Sequence, residues 1–216
     1  NTFRPELKMS EDKYTEIVGV QETPLVPEGS KELRPHRMAI GLYDVKNGKL
    51  ERRKSVELDI TGARTVISEL AGEAVADLLL INDHDLTYGK IRFDERSIKT
   101  LKTHLGDITD SLTRALCWSA AWDMHRDGEL SATDYTEIVL NALGKESEAS
   151  VINAQLTNLE TAVEIYSSPN NREKLRARRS SGLYQLATAA KAGSDEQLAL
   201  VKGFAAGATK ADAPKI

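Results

Sequence analysis

Apolar and polar positions divide the chain into two stretches with different periods. From Tyr14 to Phe93 the pattern favours strands: Tyr14 to Val20, Arg37 to Tyr43 and Leu50 to Ile60 combine β-branched or aromatic residues with partial alternation. In the third run Val56, Leu58 and Ile60 share one face and Glu57 and Asp59 the other, the mark of a half-buried strand. Shorter runs follow at Thr65 to Leu70, Asp77 to Ile81 and Thr87 to Phe93. Pro24, Pro27, Gly29 and Pro35 punctuate a loop between the first two runs. Asn47-Gly48 marks a hairpin, because both residues tolerate positive φ. About six short strands at this spacing predict an antiparallel β-sandwich over residues 1–93.

From Asp94 the period becomes helical. Between Ile108 and Met124 the residues Ile108, Leu112, Ala115, Leu116, Trp118 and Trp122 predict a broad apolar stripe. A helix is expected to open at Ser131, whose hydroxyl can cap the first turn, and to close near Leu143-Gly144 through a left-handed glycine. Two more follow, from Ser147 to Tyr166 and from Arg172 to Ala192. Ser194-Asp195-Glu196-Gln197 has the spacing of a capping box that opens a last one. Residues 94–216 are thus expected to form the first part of a helical array of the α-α superhelix kind, truncated at its end. No strict internal repeat accompanies the recurring helix-turn-helix spacing. The Ala- and Lys-rich tail from Ala205 is expected to fray, or to continue in a longer parent.

Composition narrows the function. The 216 residues are 40% apolar and 29% charged, with a net charge of −4. No run of about 18 apolar residues exists to span a bilayer. Neither a membrane nor nucleic acid is therefore expected as a partner. The basic cluster Arg172, Lys174, Arg176, Arg178 and Arg179 lacks interleaved aromatics for base stacking and reads as a solvated or domain-facing helix surface. The lone Cys117 lies in an apolar stretch without a nearby cation, as a core residue would. The start at Asn1, with neither an initiator Met nor a secretory pattern, suggests an excised piece.

Metal chemistry can be tested on four histidines, His36, His84, His104 and His125. Four residues beyond them stand Ile40, Tyr88, Ile108 and Glu129, so the zinc-binding His-Glu-x-x-His helix is absent. The most ligand-like cluster, Asn82-Asp83-His84-Asp85, sits between two strand runs, where Asn and Asp favour a turn over a metal site. Neither a Gly-x-Ser-x-Gly elbow nor a phosphate-cradling loop occurs. Trp118 and Trp122, one helical turn apart, are expected to be core anchors. No catalytic and no metal-binding residue is assigned to this chain, and substrate-binding residues are unknown.

Several motifs nevertheless resemble a known family. The stretch Leu79 to Asp94, LLINDHDLTYGKIRFD, resembles the sandwich-to-helix junction of the aminopeptidase N family. Asp110 to Leu116, through Leu130-Ser131, is similar to the first helix pair of that family's C-terminal helical domain. Val20 to Pro24 and Leu33 to Asp44 are similar to its sandwich domain. The similarity is strongest from Arg34 to Leu143. The family's Gly-x-Met-Glu-Asn segment and zinc helix lie N-terminal to this region and are absent here.

The resemblance implies a cytoplasmic parent enzyme in which a zinc-activated water, with Glu as general base, removes N-terminal amino acids from peptides. It implies that this chain is inactive alone, that its partners are the upstream catalytic domain of the same polypeptide and the parent's peptide substrates, and that zinc belongs to the parent. This region would shape or close the peptide-binding cavity, with Arg92 in a structural role on the last sandwich strand. The competing expectation is a free-standing protein-interaction module.

Overall fold

A computed structural model describes residues 1–23 and 31–215. The loop expected around Pro24, Pro27 and Gly29 lies outside the described residues. Among the described residues seven strands in two sheets precede six α-helices, a mixed class with segregated sheet and helical parts. The chain forms two compact units, one of residues 1–104 and 108–124, the other of residues 105–107 and 125–216.

In the first unit, β1 (Thr2–Ser10), β2 (Lys13–Glu22), β5 (Arg64–Val66) and β7 (Lys90–Ile91) make one sheet in the order β5-β2-β1-β7. The second sheet has the order β4-β3-β6, from β3 (His36–Lys46), β4 (Lys49–Ile60) and β6 (Leu78–Ile81). Strand β2 buries Ile17, Val18 and Val20, of which Ile17 shares the face of Gly19 turned to the other sheet, and that sheet buries Met38, Ile40, Leu42, Leu58 and Ile60. The sheets approach closely at Gly19, where a Cβ would stand 2.8 Å from Ile60 Cδ1. The β3–β4 hairpin turns at Asn47 and Gly48, with φ of 50° and 74°, between the paired Lys46 and Lys49.

Three features of this unit depart from the sequence expectations. The β1 strand was not anticipated, because Arg4, Pro5, Glu6 and Lys8 break its alternation. Its pairing with β7 is parallel, Thr2 with Lys90 and Phe3 with Ile91, whereas an antiparallel sandwich was expected. The run Thr65 to Leu70 is split into the three-residue β5 and a 3-10 turn over Ser68–Leu70, where the amides of Leu70 and Ala71 bond locally rather than to a strand.

Helix α1 (Glu95–His104) starts on Asp94, whose Oδ1 accepts from the amides of Arg96 and Ser97 at 2.9 and 3.1 Å. Helix α2 (Ser111–Arg126) starts on Asp110, whose Oδ2 accepts from Thr113 N at 2.8 Å. Its buried stripe is Thr113, Cys117, Trp118, Ala120, Ala121 and Met124. The expected stripe is therefore rotated by about one residue: Leu112 and Ala115 are exposed. The inward edge carries the Thr113 hydroxyl, 3.2 Å from Tyr43 OH and donating to Asp110 Oδ2. Trp118 is buried and Trp122 half-buried. Cys117 is fully enclosed, and burial pushes its thiol pKa up, away from the reactive thiolate.

The second unit holds α3 (Ala132–Ala142), α4 (Ala149–Thr161), a π-helical turn (Ala162–Tyr166), α5 (Pro169–Ala189) and α6 (Asp195–Ala206). Ser131 accepts from Asp134 N and Ser194 from Gln197 N, so both Ser caps form. Gln197 completes the second cap through Gly193 N at 2.9 Å and reaches Ala187 O with its amide. Gly144 does not take the left-handed conformation expected of it; a 3-10 turn over Leu143–Lys145 ends α3 instead. Glycine serves there for clearance, because a Cβ would meet Leu186 Cδ2 at 2.7 Å. Of the two expectations for the tail, fraying or continuation in a longer parent, the first is not met over its described residues. Thr209 N and Oγ1 donate to Asp212 Oδ2 at 2.9 and 2.7 Å and close a turn over Lys210–Lys215.

Of the two readings of the basic cluster, a solvated or a domain-facing surface, Arg176, Arg178 and Arg179 follow the second, pairing with carboxylates of neighbouring helical elements, while Lys174 is exposed. Arg178 pairs with Glu137 at 3.0 Å, and Arg176 with Glu164 and Glu173. Arg179, 3% exposed, donates to Glu160 at 2.5 Å, to Glu164 at 3.2 Å and to Gly207 O at 3.2 Å. It thereby joins α4, the π turn, α5 and the C-terminal end of α6. A Cβ on Gly207 would lie 2.5 Å from this guanidinium. Arg179→Ala should therefore lower amide-exchange protection of α6 by about 3 kcal/mol, the usual cost of breaking a buried pair from one side. Arg176→Ala, at the exposed edge of the same cluster, should cost much less. Native-state hydrogen exchange on the two variants checks the contrast.

Candidate functional site

The densest buried polar cluster grows from the turn that the sequence marked as most ligand-like. Leu78 to Ile81 are all buried, so the chain leaves β6 deep in the first unit and must turn sharply. It does so through Asn82 and Asp85, at φ of 60° and 54°, a conformation that Asn and Asp tolerate better than other non-glycine residues. Asn82 secures the turn with its side chain. Its Nδ2 donates to Thr87 O at 2.8 Å, and its Oδ1 accepts from Thr87 N at 3.1 Å.

Asp83 is carried inward by this turn, and its side chain has no exposure. Tyr43 OH donates to its Oδ1. Arg52 Nη1 donates to its Oδ2 at 2.8 Å, and Ser55 Oγ reaches the same oxygen at 3.4 Å. Burial, together with this carboxylate acceptor, raises the Tyr43 pKa, so the phenol keeps its proton. Thr113 Oγ1 lies 3.2 Å from the phenol oxygen and donates to Asp110 Oδ2 at 2.7 Å, so the two hydroxyls stand side by side and each gives its proton to a different carboxylate. Strands β3 and β4 and the β6 turn converge on Asp83. Gly41 makes room for it: a Cβ there would stand 2.6 Å from Asp83 Oδ2 and 2.7 Å from Tyr43 Cε2.

At the rim stands His84. Arg52 Nη1 lies 2.9 Å from its Nε2, and Glu57 Oε1 lies 3.4 Å from its Nδ1. A guanidinium only donates, so Nε2 must accept and Nδ1 carries the proton toward Glu57. A Glu-His pair could in principle serve as a general base, but the lone pair it would use is occupied by Arg52. The cluster is built to hold rather than to react.

The remaining histidines lie apart from it. His36 Nδ1 is 2.6 Å from Thr87 Oγ1, while His125 Nδ1 donates to Leu130 O at 2.9 Å and its ring stacks on Tyr135 at 5.1 Å. His104 lines a shallow open depression with Asp77, Arg96 and Lys99, in which Arg96 pairs with Asp77 at 2.9 Å. Among the described residues no three His, Cys, Asp or Glu side chains converge to hold a metal ion. Arg92 is buried just after β7; its amide donates to Phe3 O at 2.8 Å and its Nη1 to Ile91 O at 3.3 Å.

Sequence reasoning singled out the turn but missed Tyr43, Arg52 and Ser55 as its partners, which lie 28 to 40 residues away in sequence. One signal was present. Gly41 interrupts an otherwise apolar strand, and glycine in a strand interior marks a close approach.

Residues 78–215, from β6 and the Asp83 turn through the helices, match the model of the ERAP1-like C-terminal domain. The chain belongs to that family. Over 211 residues, 95% of its length, this ERAP1-like C-terminal domain chain is also 45% identical to the aminopeptidase N of Streptomyces lividans. It spans about a quarter of that relative's length.

Two substitutions test the cluster. Gly41→Ala forces a methyl into a carboxylate that is pinned on both oxygens and should destabilise the first unit by about 2 kcal/mol in urea unfolding. Asp110→Ala should cost about 1 kcal/mol at neutral pH through the lost cap. The Thr113 hydroxyl and amide hold the Asp110 carboxyl below its ordinary pKa of 3.8. Such a group adds stability that is fully present above the ordinary value and is lost as pH falls through the lower, folded one. The difference between wild type and Asp110→Ala should therefore be constant down to about pH 4 and shrink below it, which urea melts at a series of pH values would show.

Proposed function

We propose that this chain is the non-catalytic C-terminal region of a zinc aminopeptidase that removes N-terminal amino acids from peptides, and that it shapes or closes the cavity in which those peptides bind. The observation that carries the proposal is the 45% identity to the Streptomyces lividans aminopeptidase N across 95% of this chain. Three quarters of that relative lies outside the match, which leaves room for a catalytic part elsewhere in a parent polypeptide. The chain's own residues do not fit a zinc site. The His-Glu-x-x-His spacing is absent from the sequence, and the Asp83 carboxylate and His84 are committed to Arg52. The metal, and the water it would activate, would be held by the upstream polypeptide. What this region contributes is shape. Within each unit charged groups are buried against partners of that unit, so the region would offer peptides a wall rather than a reactive group.

The test uses the purified 216-residue chain and the full reading frame it comes from. The chain alone is expected to carry no stoichiometric zinc by elemental analysis and to leave aminoacyl anilides intact, whereas the full-length protein hydrolyses them. Stoichiometric zinc together with hydrolysis by the chain alone would overturn the proposal. A reading frame that encodes no zinc helix upstream of Asn1 would instead favour a free-standing interaction module.

A further inference from the structure

The turn that buries Asp83 also projects an aromatic side chain outward. Tyr88 is 98% exposed, and Leu86 beside it 47%. Neither hangs on a loose loop, because the backbone of Thr87, between them, is bonded in both directions by Asn82. The Thr87 hydroxyl lies 2.6 Å from the His36 ring. After Tyr88, Gly89 lies so close to Phe3 that a Cβ would come within 2.5 Å of its ring. A large aromatic is thus held in water on a rigid mount, so little conformational entropy would be lost if it were covered.

Its position indicates what covers it. Lys90 N donates to Asn1 O at 3.0 Å, so the Tyr88 loop lies beside the first residue of the chain. Two side chains make a patch far smaller than the roughly 800 Å² per partner of a stable interface between free proteins. A segment covalently continuous with Asn1 has no such requirement, since tethering supplies a high effective concentration and one aromatic anchor suffices. We infer that Tyr88, with Leu86, is the anchor on which the polypeptide preceding Asn1 docks, through an apolar socket with an acceptor for the phenol. This inference rests on the proposal that the chain is the C-terminal region of a longer aminopeptidase.

Hydroxyl-radical labelling of Tyr88, in the 216-residue chain and in the full-length protein, tests it. The expected result is rapid labelling in the chain and loss of most of that labelling in the full-length protein. Tyr88→Ser should leave the melting temperature of the chain unchanged. In the full-length protein it should speed protease cleavage just before Asn1 by about ten-fold or more, as loss of an interface anchor does. If the full-length protein is an active peptidase whose Tyr88 labels as fast as in the chain, the docking fails while the proposed function stands. If the reading frame encodes no peptidase, the proposed function fails and the docking falls with it.

Discussion

The first unit depends on a single buried carboxylate. Asp83 has no exposure, and an ion in that position is tolerated only when its oxygens are fully engaged. Tyr43, Arg52 and Ser55 meet that demand from two strands. The requirement is stringent in direction as well as in number. The strand register of β3 and β4 must bring Tyr43 and Arg52 opposite each other, as their pairing does. On α2, Thr113 rather than Leu112 faces inward. The Thr113 hydroxyl thus lies beside the buried phenol and gives its proton to Asp110, the cap of the same helix.

The second unit meets the same demand with the signs exchanged. There the buried ion is Arg179, and its partners are two carboxylates and a helix-terminal carbonyl. A cation at the C-terminal end of a helix is favourable in itself, because the last carbonyls lack intrahelical donors. In each unit a buried charge fixes the mutual placement of elements that an apolar core would leave free to slide. In each, a glycine supplies the clearance, Gly41 beside Asp83 and Gly207 beside Arg179.

These devices explain which parts of the fold were legible in the sequence. Strands β2, β3 and β4, the Asn47-Gly48 hairpin and the Ser131 and Ser194 caps depend on neighbours a few residues apart, and their residue types announce them. Strand β1 was illegible because its charged residues pair along the surface with other strands, Arg4 with Glu22 and Glu6 with Arg64, instead of alternating with apolar ones. The inward edge of α2 was hidden because Thr113 stands there beside Tyr43, 70 residues away in sequence. Of the candidate site, Asn82 and Asp83 could be located through turn chemistry, but which side chains would close around Asp83 is decided by sheet register. The partners of the basic run of α5 were hidden for the same reason, since apart from Glu173 the carboxylates that neutralise it lie 12 to 41 residues earlier in the chain.

Within the Asp83 cluster one donor is shared between holding the carboxylate and capping a histidine. His84 illustrates the trade. Paired with Glu57 alone it would be a serviceable base, but Arg52 occupies the nitrogen that would accept a proton while also holding Asp83 in place. One guanidinium thus buttresses the core and silences the only rim histidine of the cluster, and freeing the imidazole would expose a buried carboxylate to an uncompensated site. Stability and reactivity compete here for the same donor, and the geometry resolves the competition in favour of stability.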